Sequence, residues 1–249
     1  MSLDIVYMST DLAPFTSGID PANAREVVAR ALERLHPHIA LASSFSLEDA
    51  VVLDLMMSVR KDARVFALDT GRLNPETYEC AEALRRRYGV RIEWYFPKHD
   101  AVETLEREKG LFSFKESVEN RKECCGIRKV EPLNRALSGL QGWITGLRRE
   151  QSVTRTDLAA FETDASHGGI LKVNPLTNWT LDDLWAYARE HKLPHNRLYD
   201  IGYTSIGCAP CTRAIEPGED QRAGRWWWEN PEHKECGLHL NMKSWSPAI

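Results

Sequence analysis

Apolar positions along the chain fall into short blocks separated by amphipathic stretches. Ala24, Val27, Val28, Ala31, Leu32 and Leu35 recur at spacings of three and four, one face of a helix. Asp20 reads as its cap and Pro21 as its first turn. Residues 39–42, Ile-Ala-Leu-Ala, form a compact apolar run that predicts a buried strand, and a helix follows over 47–59. The order then repeats. A strand is expected over 64–68, a helix opening at Pro75 and closing at Gly89, a strand over 91–96, and a helix over 99–109 capped by Gly110. Residues 116–137 read as helical, with interruptions near Gly126 and Pro132. A fourth strand is expected over 142–145 and a fifth over 171–173. Thr180, with Asp183 three residues on, signals one more helix start. Residues 1–19 and those from Ile201 onward show little period.

Strand, turn and helix in repeated succession predict an α/β fold, one parallel sheet covered by helices. Ligands on such sheets bind at the carboxyl ends of the strands. Three polar or glycine-bearing turns fall there: 43–46, 69–71 and 146–149. No internal repeat or linker divides the chain, so residues 1–225 read as one α/β domain and 226–249 as an irregular, mobile C-terminal tail.

Composition narrows the function. At 249 residues with 43% apolar and 27% charged side chains, the chain has enough apolar material for a folded core. Lysine plus arginine number 32 against 36 acidic residues, a net charge of −4, which argues against a general nucleic-acid coat. No apolar run is long enough to cross a membrane and no secretory leader opens the sequence, so a cytoplasmic protein is expected. In such a compartment six cysteines point to metal or catalysis rather than to a disulfide scaffold.

The cysteines are patterned. Cys124 and Cys125 are adjacent, and Cys208 and Cys211 form a C-x-x-C in a glycine- and proline-bearing loop. Neighbouring cysteines on a helix lie about 100° apart and pair poorly with each other. Two such pairs meeting in space would supply four thiolates, suited to zinc or to an iron–sulfur cluster, and spacing does not choose between them. Cys236 stands in Lys234-Glu-Cys-Gly-Leu-His239, where cationic neighbours favour the thiolate. Cys80 reads as a packed helix residue.

Basic residues follow these cysteines. Arg128 and Lys129 come directly after the first pair; Arg148, Arg149 and Arg155 follow the fourth strand; Arg213, Arg222 and Arg225 follow the C-x-x-C. If the cysteine pairs converge, positive charge gathers beside them, and guanidinium forks suit phosphate or sulfate. Trp226, Trp227 and Trp228 in succession cannot all face one core.

Taken together, several segments resemble the assimilatory, cluster-bearing branch of the APS/PAPS reductase family. They are Cys124-Cys-Gly-Ile-Arg-Lys-Val-Glu-Pro132, Gly207-Cys-Ala-Pro-Cys-Thr-Arg213, 218–226 around Arg222 and Arg225, and Lys234-Glu-Cys-Gly-Leu-His239. The similarity extends to 43–49, 68–71 and 145–149. It implies a [4Fe–4S] cluster on Cys124, Cys125, Cys208 and Cys211, an adenine-nucleotide fold of the PP-loop pyrophosphatase kind, and Cys236 as nucleophile. It implies adenosine 5′-phosphosulfate as substrate, with thioredoxin or glutaredoxin as a separate electron donor, because the chain stops soon after Cys236. Lys129, Arg222 and Arg225 are expected to bind the phosphosulfate, with Arg149 and Arg155 assisting. Ser43, Ser44, Gly146 and the turn Leu68-Asp69-Thr70-Gly71 are expected around adenosine. PP-loop pyrophosphatases carry Ser-Gly-Gly-x-Asp-Ser after the first strand, whereas Ser43-Ser-Phe-Ser-Leu-Glu-Asp49 stands here, so a nucleotide with one phosphate is expected rather than ATP chemistry.

Three other readings stay open on the sequence. One is a dual-specificity enzyme that also takes the 3′-phosphorylated substrate. Another is a PP-loop ATP pyrophosphatase or sulfurtransferase. The last is a four-cysteine zinc module that grips nucleic acid. The oligomeric state is not legible in the sequence.

Overall fold

The computed structural model describes residues 11–151 and 157–230. A short helix α1 (Ala13–Thr16) precedes α2 (Ala24–Leu35), β1 (Ile39–Ser43) and α3 (Leu47–Val59). Then come β2 (Arg64–Leu68), α4 (Pro75–Tyr88), β3 (Ile92–Tyr95) and α5 (His99–Lys109). The cysteine-bearing α6 (Val118–Cys125) runs through a π-helical turn, Gly126–Val130, into α7 (Glu131–Leu137). Next are β4 (Gly142–Ile144), β5 (Phe161–Asp164), β6 (Ile170–Val173) and α8 (Leu181–Glu190).

The six strands form one sheet in the order β3-β2-β1-β4-β6-β5. Five are parallel; β5 alone runs antiparallel, against β6. That edge strand departs from the all-parallel expectation. Chain order reverses between β1 and β4, which is where an open sheet of this kind leaves a crevice at its carboxyl edge. Apolar runs in β1 and β2 are buried on both faces. One core lies between β1, β2 and helices α2 and α3, with Val27, Val28, Ile39, Leu41, Val51 and Met56 all fully covered. A smaller one gathers Phe66, Leu133, Leu137 and Trp143 under α7 on the opposite face.

Several local readings are corrected. The cap of α2 is Asn23, whose side chain accepts from the N–H groups of Arg25 and Glu26. Asp20 instead accepts from Ala22 N–H in the preceding turn. No break separates residues 118–137: Gly126 keeps helical dihedrals, and the helix widens by one residue ahead of Pro132. That widening spares the proline ring a clash with the preceding turn and absorbs its missing N–H. The expected capping box at Thr180 and Asp183 is present.

Residues 226–229 pack as part of the domain rather than as tail. Trp226 is 1% exposed, Trp228 packs on Phe114, and Glu229 pairs with Arg121 of α6. Trp227 faces outward, so the three tryptophans divide among different surroundings, as their succession demands. Among the described residues no helix is long and apolar enough to cross a membrane.

Candidate active site

At the carboxyl edge, the ends of β1, β2 and β4 open onto a cavity of about 250 Å³. Its lining is of three kinds. Ala42, Phe66, Leu68, Leu133 and Trp143 make an apolar wall. Ser43, Ser44, Ser46, Asp49, Thr145 and Gly146 make a polar floor. Lys129, Arg222, Arg225 and Cys208 bring cations and a thiol. The dimensions and the division suit a flat apolar ring, a polar middle and an anion.

The floor is built at the first strand–helix turn. Ser46 caps α3 by accepting from Asp49 N–H. Asp49 in turn accepts from Ser44 N–H at 2.6 Å and from Ser44 Oγ–H at 2.7 Å. Phe45, at φ +60°, takes the left-handed conformation that glycine usually fills, and its buried ring is held against Trp94. Burial pushes the Asp49 carboxyl up to about 6, against the hydrogen bonds from Ser44, with Glu48 adding to the rise. Gly146 lies so close to α3 that a Cβ there would stand 2.6 Å from Asp49 Oδ1 and 2.8 Å from Glu48 Cβ. Only glycine admits this approach.

The second turn joins the nucleotide side to the cysteines. Thr70 Oγ1 lies 3.3 Å from Cys208 Sγ. Ala209 N–H donates to Arg72 C=O at 2.8 Å, and Asn74 Nδ2 donates to Gly207 C=O at 3.2 Å. These bonds clamp the C-x-x-C loop onto the sheet edge. From the other side comes α6. Cys124 feels Cys208, Arg128 and Arg72, and Cys211 feels Cys208, Cys124, Lys129 and Arg225. Burial raises both thiols, that of Cys211 to about 12, so they need a strong cationic partner to ionise.

Three of the four expected ligands thus share one electrostatic neighbourhood, and Cys125 follows Cys124 at the end of α6. Among the described residues no three side chains close on a single metal ion. A four-iron cube takes one thiolate at each iron and holds its sulfurs farther apart than one tetrahedral ion would. Two further observations fit such a group. Arg128 Nε, Arg225 Nε and Trp226 Nε1 are buried donors without a hydrogen-bond partner among the described residues. Arg128 contacts Cys124, and the Trp226 backbone N–H donates to Cys211 C=O, which sets the indole beside the cysteine loop. Buried donors seldom go unmatched, and cluster sulfurs accept such bonds.

Of the predicted substrate residues, Ser43, Ser44, Leu68, Thr70, Gly146, Lys129, Arg222 and Arg225 line the cavity. Arg225 is buried, its guanidinium stacked over Trp226 at 4.5 Å and laid against Gly207. Asp69 and Gly71 do not line it. Asp69 accepts from Gly71 N–H at 2.8 Å and from Tyr78 Oη at 3.0 Å, which shapes the turn itself. Arg149 is also absent from the lining; it donates to Leu158 C=O at 2.9 Å and to Asn178. Arg148 lines the cavity instead, but Glu48 and Glu150 take its charge. Arg213 is engaged by Glu219 at 2.8 Å. Arg155 and Cys236 lie outside the described residues. Sequence reasoning missed Asp49, Trp143 and the strip 204–206 of the lining.

Comparison with known proteins settles the family. The model for "phosphoadenosine phosphosulfate reductase domain" matches residues 38–214. The chain belongs to that family. It is therefore an oxidoreductase, and its relatives sharpen the kinship. It is 50% identical, over 93% of its length and 88% of theirs, to the adenosine 5′-phosphosulfate reductase of Allochromatium vinosum. It is 51% identical to the Burkholderia cepacia enzyme of the same name, over 86% of this chain and 85% of that one. The chloroplastic 5′-adenylylsulfate reductase 3 of Arabidopsis thaliana shares 44% identity over 95% of this chain and 53% of its own. Among solved structures, phosphoadenylyl-sulfate reductase from Candida auris superposes with a TM-score of 0.66 at 28% identity. That match covers 82% of this chain and 94% of the other. Yeast FAD synthetase, at 15% identity and TM-score 0.55 over 77% of this chain and 66% of its own, shares the fold.

Proposed function

We propose that this reductase converts adenosine 5′-phosphosulfate to sulfite and AMP in cytoplasmic sulfate assimilation, through a sulfonate carried on Cys236. The observation that carries the reading is the single cavity in which an apolar wall and a polar floor lead to Lys129, Arg222, Arg225 and Cys208. The relatives named adenosine 5′-phosphosulfate reductase support the same substrate.

The apolar wall, with Phe66 and Trp143, takes the adenine ring; Ser43, Ser44 and Gly146 face the ribose. Lys129, Arg222 and Arg225 take the phosphosulfate, cancelling the repulsion that an approaching thiolate meets. The Cys236 thiolate attacks the sulfate sulfur. The bond from that sulfur to the bridging oxygen breaks, and AMP leaves with the electron pair. A thiolate of reduced thioredoxin or glutaredoxin then attacks Cys236 Sγ. Sulfite departs with the electrons of the sulfur–sulfur bond, and the partner's second thiol closes a disulfide that frees Cys236. Two displacements replace one difficult reduction. Cys124, Cys125, Cys208 and Cys211 would hold a [4Fe–4S] cluster, which supplies compact charge and a fixed scaffold beside Lys129 and Arg225.

A single-turnover experiment tests this. Protein mixed with the substrate and no reductant is expected to release one AMP and to carry a sulfonate that peptide mass mapping finds at Cys236. AMP release and adduct formation undiminished by Cys236→Ser would overturn the assignment.

A further inference from the structure

Among the described residues Asp49 has no cationic partner. One of its oxygens, Oδ2, receives both Ser44 donors, the N–H at 2.6 Å and the hydroxyl at 2.7 Å. The other, Oδ1, lies against Gly146, where a Cβ would stand only 2.6 Å away. Asp49 is 5% exposed, and its backbone is fixed by the α3 cap at Ser46. Ser44 therefore has no proton left to donate. Ser44 lines the cavity, and its Oγ is left there as an acceptor only.

That asymmetry selects what Ser44 can touch. The phosphate and sulfate of an adenylyl sulfate are acceptors and gain nothing from an acceptor. The ribose hydroxyls are donors. We propose that Asp49 is a positioning residue: by accepting the Ser44 hydroxyl's hydrogen bond it commits Ser44 Oγ to accept a hydrogen bond from a ribose hydroxyl of the nucleotide. The inference rests on the nucleotide-pocket reading above and deepens it. A proton on Asp49 Oδ2 would occupy the lone pair that the Ser44 hydroxyl uses and free that hydroxyl to rotate, so nucleotide affinity falls as pH drops through the carboxyl's titration, whereas an amide oxygen carries no such proton. The groups that face Asp49 are Glu48 beside it on α3, Cys80 on α4, and Tyr199 from the segment after α8. Burial keeps the thiol and the phenol neutral through the pH range concerned, leaving Glu48 as the one neighbouring charge among them.

The test is equilibrium titration of the full-length protein with AMP, 2′-deoxy-AMP, 3′-deoxy-AMP and inosine monophosphate. Removing the engaged hydroxyl is expected to weaken binding about three- to tenfold, the yield of one hydrogen bond. Ser44→Ala is expected to show that loss with AMP and no further loss with the deoxy nucleotide. Asp49→Ala is expected to lose most of the AMP-over-deoxy ratio. Asp49→Asn, whose amide oxygen still accepts from Ser44, is expected to restore it and to remove the part of the pH dependence near 6 that the wild type shows beyond the phosphate's own titration. A merely structural aspartate would weaken all four nucleotides equally, and that result would overturn the proposal. So would equal binding of both deoxy nucleotides by the wild type, or a loss confined to inosine monophosphate, which would move the contact to the adenine amine. Absence of AMP binding altogether would instead sink the nucleotide-pocket reading itself.

Discussion

The Arg121–Glu229 pair fastens the last described stretch of the chain to the cysteine-bearing helix. Arg121 Nε donates to Glu229 Oε1 at 2.8 Å and Nη2 donates to Oε2 at 2.9 Å. The two side chains are 1% and 4% exposed, and the guanidinium also stacks over Trp226 at 4.7 Å. Replacing Glu229 by alanine deletes the carboxylate that meets both arms of the fork and leaves a guanidinium in a dry site. Breaking a buried pair on one side costs about 3–5 kcal/mol. At roughly 2–4 °C per kcal/mol for a chain of this size, melting falls by roughly 6–20 °C. Glu229→Gln keeps an oxygen acceptor and should lose less. The double variant Arg121→Met/Glu229→Leu removes both charges and should recover most of the loss. The assay is chemical denaturation followed by tryptophan fluorescence, with iron content matched across variants. A cost below about 1 kcal/mol for Glu229→Ala, or a double variant as unstable as the sum of the singles, would refute the reasoning.

Further outcomes follow from the same geometry. Burial holds the folded Asp49 carboxyl at about 6 against 3.8 for the free group, so the folded chain binds this proton more tightly than the unfolded one. Relative to Asp49→Asn, wild-type stability should then fall as pH rises from about 4 to 8, by on the order of 3 kcal/mol; a pH-independent difference in urea midpoints would contradict this. Gly146→Ala should cost about 1–3 kcal/mol, because its methyl meets Asp49 and Glu48; an unchanged melting temperature would argue against that close approach. Lys129→Ala and Arg225→Ala should lower the rate of sulfonate transfer by on the order of 10²-fold, whereas Arg149→Ala, held at Leu158 and Asn178, should leave it within about twofold. Equal losses at all three positions in a stopped single-turnover assay would mean that the cavity is drawn wrongly.

The core strands were legible because each is an apolar run cut off by polar or glycine turns: 39–43, 64–68 and 142–144. β5 was not, since Phe161-Glu-Thr-Asp164 is four residues long with a single large apolar side chain, and only pairing with β6 makes it a strand. Asp20 and Asn23 are equally good caps on paper. The choice fell to Asn23 because it directly precedes the first buried position, Ala24. Gly126 and Pro132 signalled a break, yet packing on both sides of α6 and α7 lets a π turn absorb them. In the site, chemistry-bearing residues with spacing were readable: the two cysteine pairs, Lys129, Arg222 and Arg225. Which arginine of a neighbouring pair faces the cavity was not. Arg148 and Arg149 are told apart by partners distant in sequence, Glu48 of α3 for the first and Asn178 of the segment after β6 for the second. Asp49 was hidden too, because it falls inside the helix expected over 47–59, and the turn of its carboxylate back to Ser44 is set by the folded strand–helix junction.

The most direct test of the account is sulfite release from adenosine 5′-phosphosulfate by anaerobically purified protein, with and without a reduced dithiol protein. The account predicts repeated turnover with reduced thioredoxin or glutaredoxin and no more than one AMP per chain without it. No sulfite with the donor present, together with pyrophosphate release from ATP, would contradict it and return the cavity to the ATP-using members of this fold.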